Sequence, residues 1–306
     1  MVLPGYLTSL EQAIVFRNKA TTNQSHASLS KNLIVFSELE KELVNVIITN
    51  DLPLPKIDFS FIANSFTKLH VIIFGSKNQE LELDFVMQEF SAAEVLISVF
   101  GTRNHHLKIS KKQTLDKGAK LEILVGIIHT GAFEMTDTFF LMDEFASIKQ
   151  DLLNIASGND LVNVCQQVFH LHPHTFSNLD NKLIATDIAQ INYDVSGKIE
   201  KGNYGSDCTQ DNRGLLLGEK SIIQVEPKLL IDEFDVFAKH GAAIGRINDD
   251  ELFYLLSRGL TEQNAKKLIV SGYTLPYLTA IGDSHLKDIL KRKVARKIEG
   301  ASNYEK

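Results

Sequence analysis

Hydrophobic and polar residues alternate with a period of two along much of the chain. In LELDFVMQEF, Leu81, Leu83, Phe85 and Met87 alternate with polar or acidic neighbours, which is typical of a strand with one buried face. Similar runs, separated by turns with small or polar residues, are AEVLISVFG, KLEILVGII, TDTFFLMDEF, NDLVNVCQQVF, NKLIATDIAQI and KSIIQVEPKLLI. The pattern predicts an all-β core.

The spacing of these runs indicates a repeating architecture. The runs that open at Leu81, Leu121 and Leu161 lie 40 residues apart, with other strands between them. Such a loose period in an all-strand stretch favours a solenoid, a sandwich or a propeller. A solenoid needs capped ends, because each coil contacts only its neighbours. Helical segments at both ends of the chain would serve as caps, but the pattern alone leaves solenoid and sandwich open.

The last quarter of the chain has a helical pattern. Asn248, with Glu251 three residues later, resembles a capping box in front of DDELFYLLSRG, and Gly259 is a typical helix stop. Thr261 precedes a second helix, EQNAKKLIVSG. A third, SHLKDILKRKVARKIEG, carries the cations Lys287, Lys291, Arg292, Lys293, Arg296 and Lys297. We interpret these cations as a solvated face near the C-terminal end of the helix dipole.

Composition narrows the class of protein. The chain has 306 residues, 44% of them hydrophobic, which is enough for a large core. Its net charge of -6 disfavours a general nucleic-acid binder. Two cysteines are too few for a disulfide framework and indicate a reducing compartment. The chain lacks a secretory signal pattern and an apolar run of about 18 residues, so we expect a cytoplasmic protein.

One segment imitates a phosphate-binding loop. GLLLGEKS, at residues 214–221, contains two glycines and a lysine. The motif requires glycine directly before lysine, whereas Glu219 separates Gly218 from Lys220. The leucines before them are suited to a buried strand. We therefore do not expect the chain itself to bind ATP.

Three histidines alternate in FHLHPHTFS. On a strand, His170, His172 and His174 would face the same side, and three imidazoles on one face could bind zinc or iron. Pro173 interrupts any strand ladder there, and no carboxylate lies close in the sequence. We favour a turn with one or two exposed imidazoles. A metal-dependent enzyme that uses the three histidines is the alternative.

A single imidazole lies in DVFAKHGAAIG, where His240 precedes Gly241, Ala242 and Ala243. A lone histidine is usually a structural residue. Here the small residues clear space around it, since glycine allows another chain to approach closely. A neutral imidazole is a good ligand for iron and can replace thiolate at an iron–sulfur centre. His240 is therefore the candidate metal ligand of this sequence.

The stretch of residues 211–273 resembles the SufB/SufD family of iron–sulfur cluster assembly proteins. The resemblance rests on five segments: Leu215 to Leu217, Pro227 to Ile231, Asp235-Val236, His240-Gly241-Ala242 and Phe253 to Gly259. A weaker resemblance reaches back to about residue 150. The residue after the histidine is usually Glu in the SufB branch, and this chain has Gly241. Within the family, the chain is therefore most similar to the SufD branch.

The resemblance implies a fold that the pattern alone does not settle. It is an all-β core in the form of a right-handed parallel β-helix, with helical segments at its ends. The expected segments are a reduced N-terminal helical or irregular segment over 1–32, the β-helix core over 33–245 and a C-terminal helical domain over 246–306.

The resemblance also implies a function. The chain would be a non-catalytic subunit that pairs with SufB at the end of the β-helix and docks the ATPase SufC through its C-terminal helices. His240 would be a ligand for iron or a cluster shared transiently with SufB, with no cofactor held stably by the isolated chain. The sequence leaves open whether the chain forms a heterodimer with SufB or, in isolation, a homodimer. The implied partner contacts are Asp235, Gly241, Ala242, Leu252, Phe253, Tyr254, Leu256 and Arg258.

There are two further alternatives, one within the same family and one from another class of protein. The first is a SufB-type scaffold or a homodimeric stand-in for both subunits; Gly241 argues against it, because a scaffold should bring its own thiolates. The second is a β-helix enzyme acting on polysaccharide. That enzyme would need clustered carboxylates or bound calcium on one face, and the sequence shows neither pattern.

Overall fold

The structure, a computed structural model, describes residues 13–16, 21–23, 28–30, 32–37, 39–49, 56–75, 77–101 and 105–299. The strands are β1 (Ala13–Phe16), β2 (Thr21–Asn23), β3 (Ser28–Ser30), β4 (Leu33–Phe36), β5 (Leu39–Thr49), β6 (Lys56–Phe61), β7 (Phe66–Gly75), β8 (Gln79–Met87), β9 (Ala92–Gly101) and β10 (Leu107–Leu115). They continue with β11 (Lys120–Ile128), β12 (Ala132–Leu141), β13 (Ser147–Ala156), β14 (Leu161–His170), β15 (Phe176–Ala185), β16 (Gln190–Ile199), β17 (Asp207–Leu216), β18 (Ile222–Ile231) and β19 (Phe237–Gly245). Three helices follow: α1 (Asp249–Ser257), α2 (Glu262–Ala280) and α3 (Ser284–Glu299).

The strands form two sheets, and from β4 onward successive strands alternate between them. Sheet A has the order β19-β17-β15-β13-β11-β9-β7-β5-β1-β2, and sheet B has the order β18-β16-β14-β12-β10-β8-β6-β4-β3. From β4 onward, each strand pairs in parallel with the strand two places along the chain. Two successive strands therefore make one coil of a solenoid. The predicted parallel β-helix is confirmed.

The coil is shorter than the spacing seen in the sequence. Paired residues of neighbouring coils lie between 25 and 32 positions apart. Leu81 and Leu161 lie in sheet B, whereas Leu121 lies in sheet A. The 40-residue spacing is thus about one and a half coils and is not the structural repeat, because a period-two pattern does not distinguish the two sheets.

Within the N-terminal segment expected over 1–32, the structure describes three strands, β1, β2 and β3, and a turn at residue 32, and no helix among these residues. β1 pairs in parallel with β5, and β2 pairs antiparallel with β1. Ile14 of β1 is fully buried in the core. The burial of this apolar residue against the first coil explains why the segment continues sheet A. The other residues of 1–32, apart from those of β3 and residue 32, lie outside the described residues.

The space between the two sheets, here called the lumen, is filled by the inward side chains of both. In the first coils the filling is apolar and aromatic. The rings of Phe36 and Phe61 stack with centroids 4.9 Å apart, and those of Phe59 and Phe85 stack at 4.6 Å. Stacked aromatic pairs add about 0.5–1.5 kcal/mol to the gain from burying their area. The N-terminal half of the lumen is therefore a close-packed hydrophobic core.

The helices α2 and α3 cover part of the outer face of sheet A, where they contact β11 and β13. Tyr277 of α2 is fully buried there and its hydroxyl donates to Ser98 Oγ at 2.7 Å. A side chain at Gly126 would collide with the Tyr277 ring, so this glycine permits the close approach of α2. The helices share a hydrophobic cluster with the solenoid.

The basic helix is not simply a solvated face. Lys297 of α3 is only 7% exposed, and its Nζ lies 2.5 Å from Asp160 Oδ2 in the solenoid. Lys293 Nζ donates to the carbonyl of Gly101 at 2.7 Å. Burial lowers the pKa of both lysines. Two of the six cations thus bind groups of the solenoid and hold α3 against it. The interpretation of the helix as a purely solvated basic face is wrong.

No helix in the described part of the chain is both long enough and apolar enough to cross a lipid bilayer.

Candidate functional site

His240 lies on β19, the terminal strand of sheet A at the C-terminal end of the solenoid. β18 is the terminal strand of sheet B at the same end. No further strand of the described residues pairs with these two edges. Consequently most of β19 is exposed, including both neighbours of His240 on its own face, Ala238 and Ala242. The histidine is exposed because the solenoid ends there.

The register of β19 shows which way its side chains point. Gly241 pairs with Asp211, and a Cβ at Gly241 would lie 3.7 Å from Asp211 Oδ1. Asp211 faces outward, where its carboxylate pairs with Arg213 at 2.9 Å. Since side chains alternate along a strand, His240 faces the lumen. It lies in register with Gln210 of β17.

This direction corrects one expectation from the sequence. Gly241 and Ala243 do not clear space on the face of His240, because they belong to the outward face of β19. The small residues beside the imidazole are instead Ala242 and Ala238, each two residues away. The lumen on either side of His240 is thus lined by methyl groups, which leaves the imidazole accessible from the end of the solenoid.

Behind β19 the lumen is polar. Asn212 Nδ2 donates to the carbonyl of Gly241 at 3.0 Å. Asn181 Nδ2 donates to Asn212 Oδ1 at 2.8 Å and to Gln166 Oε1 at 2.7 Å. These three amide side chains are almost completely buried. They form a hydrogen-bonded file that runs inward from the strand of His240.

A buried ion pair lies deeper in the same half of the lumen. Lys111 Nζ lies 3.1 Å from Asp137 Oδ2 and donates to Gln150 Oε1 at 2.8 Å. Gln150 Nε2 donates in turn to Asp137 Oδ2 at 2.9 Å. Burial lowers the pKa of Lys111, and the carboxylate of Asp137 opposes that change. Polar side chains that bind one another thus lie among the apolar residues that fill the lumen of the later coils.

Cys208 is a lumen residue that the sequence did not single out. It is fully buried on β17 and lies in register with Ser177 of β15 and Ala238 of β19. Burial raises the pKa of its thiol, and a hydrogen bond with Ser177 opposes that shift. The structure places this buried thiol one coil behind the strand of His240. The sequence would have indicated the position of Cys208 only if the number of residues per coil had been known.

His170 belongs to the same region. Its Nε2 lies 2.8 Å from Ser177 Oγ, and its Nδ1 lies 2.8 Å from Thr175 Oγ1. Burial lowers the pKa of His170 to about 4, so the imidazole is neutral at neutral pH. A chain of hydrogen bonds thus connects Cys208, Ser177 and His170.

The three alternating histidines do not form a shared site. His170 is buried at the end of β14, whereas His172 and His174 lie in the turn that follows. His172 Nδ1 is 3.8 Å from Asp143, and the ring of His174 stacks on Phe145 with centroids 5.5 Å apart. In the part of the chain that the structure describes, no group of three or more His, Cys, Asp or Glu side chains could hold a metal ion. Pro173 turns the chain, and the metal site of the alternative enzyme is not formed.

The predicted contacts on α1 lie on a largely exposed helix, none of whose residues is buried. Asn248 caps it by accepting from the backbone N–H of Asp250 at 2.8 Å. Phe253 is 72% exposed and Tyr254 55% exposed, and Leu256 is exposed as well. Leu252 is half-buried and lines a groove between α1 and the two other helices.

Two predicted contacts, Arg258 and Asp235, lie outside α1. The guanidinium of Arg258, which follows α1, lies 5.2 Å from the centre of the Tyr254 ring. Asp235 lies in the exposed turn before β19, and its carbonyl accepts from Gly205 N–H at 2.6 Å. The structure thus brings His240, Gly241, Ala242 and Asp235 to the open end of the solenoid and places the other predicted residues on the helical part.

Comparison with known protein families agrees with this arrangement. Residues 83–273 match the family model described as the SufBD core domain of the SUF system for FeS cluster assembly. The chain belongs to the SufBD family. The matched residues run from β8 into α2, so they include both the polar half of the lumen and His240.

Curated members of the SufBD family align with parts of the chain. The iron–sulfur cluster assembly protein SufD of Bacillus subtilis is 27% identical over 183 residues, 60% of this chain and 42% of that protein. SufD of Escherichia coli is 32% identical over 97 residues, 32% of this chain and 23% of that protein. A SufBD family protein of Pyrococcus horikoshii is 44% identical over 99 residues, 32% of this chain and 20% of that protein. The chain thus spans less than half the length of these relatives.

Proposed function

We propose that the chain is a non-catalytic, SufD-like subunit of an iron–sulfur cluster assembly complex. In this proposal it pairs with SufB at the open end of the solenoid and docks the ATPase SufC through its C-terminal helices. Its contribution to assembly is a lumen-facing imidazole, His240, that binds iron or a nascent cluster together with ligands of SufB. The isolated chain holds no cofactor stably, and its place of action is the cytoplasm.

The observation that carries the proposal is the open C-terminal end of the solenoid. β18 and β19 are terminal strands, and nearly every residue of β19 is exposed. A terminal strand with unpaired backbone groups favours pairing with a strand of another chain. A SufB strand added there would cover His240 and enclose it between two lumens. The predicted contacts Asp235, Gly241 and Ala242 would lie in that interface.

The docking of SufC is supported by the apolar surface of α1. Phe253, Tyr254 and Leu256 present aromatic and aliphatic side chains to solvent on one short helix. Exposed aromatic residues close to a groove are typical of protein interfaces. Leu252 and Arg258 border the same surface.

The cluster role of His240 requires a partner. Imidazole is a good ligand for iron and takes the place of thiolate in some iron–sulfur centres. A single imidazole does not hold a cluster, and among the described residues no group of three or more His, Cys, Asp or Glu side chains could hold a metal ion. The proposal therefore assigns the other ligands to SufB, and the iron or cluster is the cargo of the complex.

Co-purification with SufB and SufC tests the proposal. The chain, with and without His240→Ala, is co-expressed with tagged SufB and with SufC, and both complex composition and iron and sulfide content are measured. We expect both forms to assemble and the variant to lose most of the iron. Lys239→Ala, an exposed neighbour on the outward face of β19, is the matched control and should retain iron.

Three outcomes would contradict parts of the proposal. If the wild-type chain binds neither SufB nor SufC, the proposed role fails. If His240→Ala retains full iron content, His240 has a structural role only. If the wild type assembles clusters as a homodimer without SufB, the alternative of a homodimeric stand-in is correct.

A further inference from the structure

Three side chains with different donor atoms face the lumen on the last two strands of sheet A. Gln210 of β17 lies in register with His240 of β19. Cys208 precedes Gln210 by two residues and shares its inward face, since both side chains are buried in the lumen. A thiol, an amide oxygen and an imidazole are thus brought to one end of the lumen.

Gly197 of β16 creates the space between these groups. A Cβ at this glycine would collide with Cys208 Sγ and would lie 3.2 Å from Gln210 Nε2 and 3.3 Å from Leu229 Cδ2. The thiol and the side-chain amide of Gln210 therefore surround the same point on sheet B. Leu229 closes the space on the side of β18.

The carbonyl oxygen of the Gln210 side chain is one of several buried polar atoms that have no hydrogen-bond partner among the described residues. Gln210 is 1% exposed, and its Oε1 has no hydrogen-bond partner among the described residues. Its Nε2 donates to the carbonyl of Lys228 at 3.4 Å, which fixes the amide and leaves the oxygen free. A buried acceptor without a partner costs about 1–3 kcal/mol, so such a group calls for a ligand.

Side chains of β14 and β15 orient the thiol of Cys208. Ser177 hydrogen bonds with Cys208, and His170 Nε2 lies 2.8 Å from Ser177 Oγ. Hydrogen bonds of this kind orient metal-binding side chains and tune their basicity. The buried thiol is thus part of a built network.

The strand geometry allows one ion to bridge the outer donors. Neighbouring strands lie about 4.8 Å apart and rise about 3.3 Å per residue, which places the Cα atoms of Cys208 and His240 about 8 Å apart. Metal–sulfur and metal–nitrogen bonds of about 2.3 and 2.0 Å span this separation when both side chains turn toward each other. Gln210 lies directly beside His240 on the neighbouring strand and two residues from Cys208 on its own strand.

We propose that Cys208 Sγ, Gln210 Oε1 and the His240 imidazole bind one divalent transition-metal ion, with Fe2+ as the cargo, inside the end of the lumen. This inference deepens the proposed function, on which its role in cluster assembly rests, by giving the chain a half-site of its own. The mixed sulfur, nitrogen and oxygen donor set suits Fe2+, Co2+ or Zn2+ and disfavours Mg2+ and Ca2+. On binding, the S–H bond of Cys208 is replaced by a sulfur–metal bond, and the proton is released to the buffer.

Cobalt absorption tests the site directly. The full chain is titrated with Co2+ without oxygen, and the sulfur-to-cobalt charge-transfer absorption is recorded together with the d–d bands. We expect one bound ion with a charge-transfer band. Cys208→Ala should abolish that band, and Gln210→Leu and His240→Ala should each weaken binding at least about tenfold, by analogy with other changes at metal sites.

The second cysteine provides a matched control. Cys165 lies on the outer face of sheet B, where it lines a shallow groove with Asp194 and Thr136. Cys165→Ala should leave the spectrum unchanged. Cys208→Ser, which keeps a polar group of similar size, separates loss of the sulfur ligand from loss of folding; its thermal unfolding should match that of the wild type while the band is absent.

Several results would overturn the inference. These are the absence of a charge-transfer band in the wild type both alone and with SufB, a band that survives in Cys208→Ala, or one that depends on Cys165. Unchanged affinity in His240→Ala would also overturn it, because the three donors would then not act together. Co-purification with SufB is measured on the same samples. Intact pairing without a cobalt site rejects this inference alone, whereas a cobalt site without pairing rejects the proposed complex.

Discussion

The two halves of the lumen share an apolar filling and differ in the polar side chains that the later half adds to it. In the first coils, phenylalanine rings such as Phe36, Phe61, Phe59 and Phe85 stack on one another. In the later coils, buried apolar side chains such as Leu179, Ile191 and Val195 share the space with Lys111, Asp137 and several buried amides. Both halves use the same coil geometry and the same parallel pairing.

From this difference we infer that the first coils contribute mainly to stability and that the polar side chains of the later coils contribute mainly to specificity. Buried apolar area stabilises at roughly 25 cal/mol per Å2, whereas a buried hydrogen bond contributes only about 1 kcal/mol net and is costly when one partner is missing. A polar lumen is thus a poor way to gain stability. The polar side chains of the later coils lead toward the open end, where the proposed site at His240 lies.

The largest expected effect is in the polar half. Asp137→Ala leaves the buried Lys111 cation without its partner and should lower the free energy of unfolding by about 3–5 kcal/mol. Replacing both, as Lys111→Met with Asp137→Leu, should recover most of that loss. Urea unfolding measures both. A mild effect of Asp137→Ala would mean that water reaches the ion pair, and the proposed contrast between the halves would be weaker.

In the apolar half, volume rather than pairing should matter. Phe59→Ala removes a fully buried ring from the stack with Phe85 and should cost about 3–4 kcal/mol by leaving a cavity. Phe145→Ala, at an exposed turn, is the control and should have a much smaller effect. Equal losses in the two variants, measured by denaturant unfolding, would show that the first coils are not tightly packed.

A pH dependence should arise from buried histidines. Burial lowers the pKa of His170, in the polar half, to about 4 and that of His70, under α2, to about 3, from an ordinary 6.5. The unfolded chain therefore takes up protons below pH 6.5 while the folded chain does not. Their contribution to stability is complete above pH 6.5 and is lost as the pH falls toward 4.

Each of the two should lower stability by about 2 kcal/mol between pH 7 and pH 5. Urea unfolding at both pH values measures the change. His170→Gln should remove one part of the pH dependence and leave the part that His70 contributes. An unchanged pH dependence in that variant would show that His170 is protonated in the folded chain as well.

The smallest effect is expected outside the lumen. Tyr277→Phe removes the hydroxyl that donates to Ser98 Oγ. Ser98 Oγ retains its hydrogen bond with His70 Nε2 at 2.8 Å. The free energy of unfolding should therefore fall by only about 1 kcal/mol. Thermal unfolding measures it, with Tyr204→Phe on an exposed turn as the control. A loss as large as that of Phe59→Ala would show that the helices stabilise the solenoid more than its first coils do.

The sequence predicted the strands well and the register poorly. Alternation in LELDFVMQEF identifies an inward and an outward face, because that pattern depends only on local geometry. It does not tell which residue of the next coil lies alongside, since coils of 25 to 32 residues differ in turn length. Thus His240 was found through its local motif and its resemblance to a family. Cys208, which lies in register with Ala238, needed the three-dimensional pairing.

The last coil has a neighbour on one side only. In a solenoid, each coil is stabilised mainly by the two coils that flank it, so β18 and β19 should show the fastest amide hydrogen exchange among the later coils. A strand that covers this end would slow the exchange. The arrival of a partner would then complete a folding step, and a chain made without one would expose its final coil to proteases.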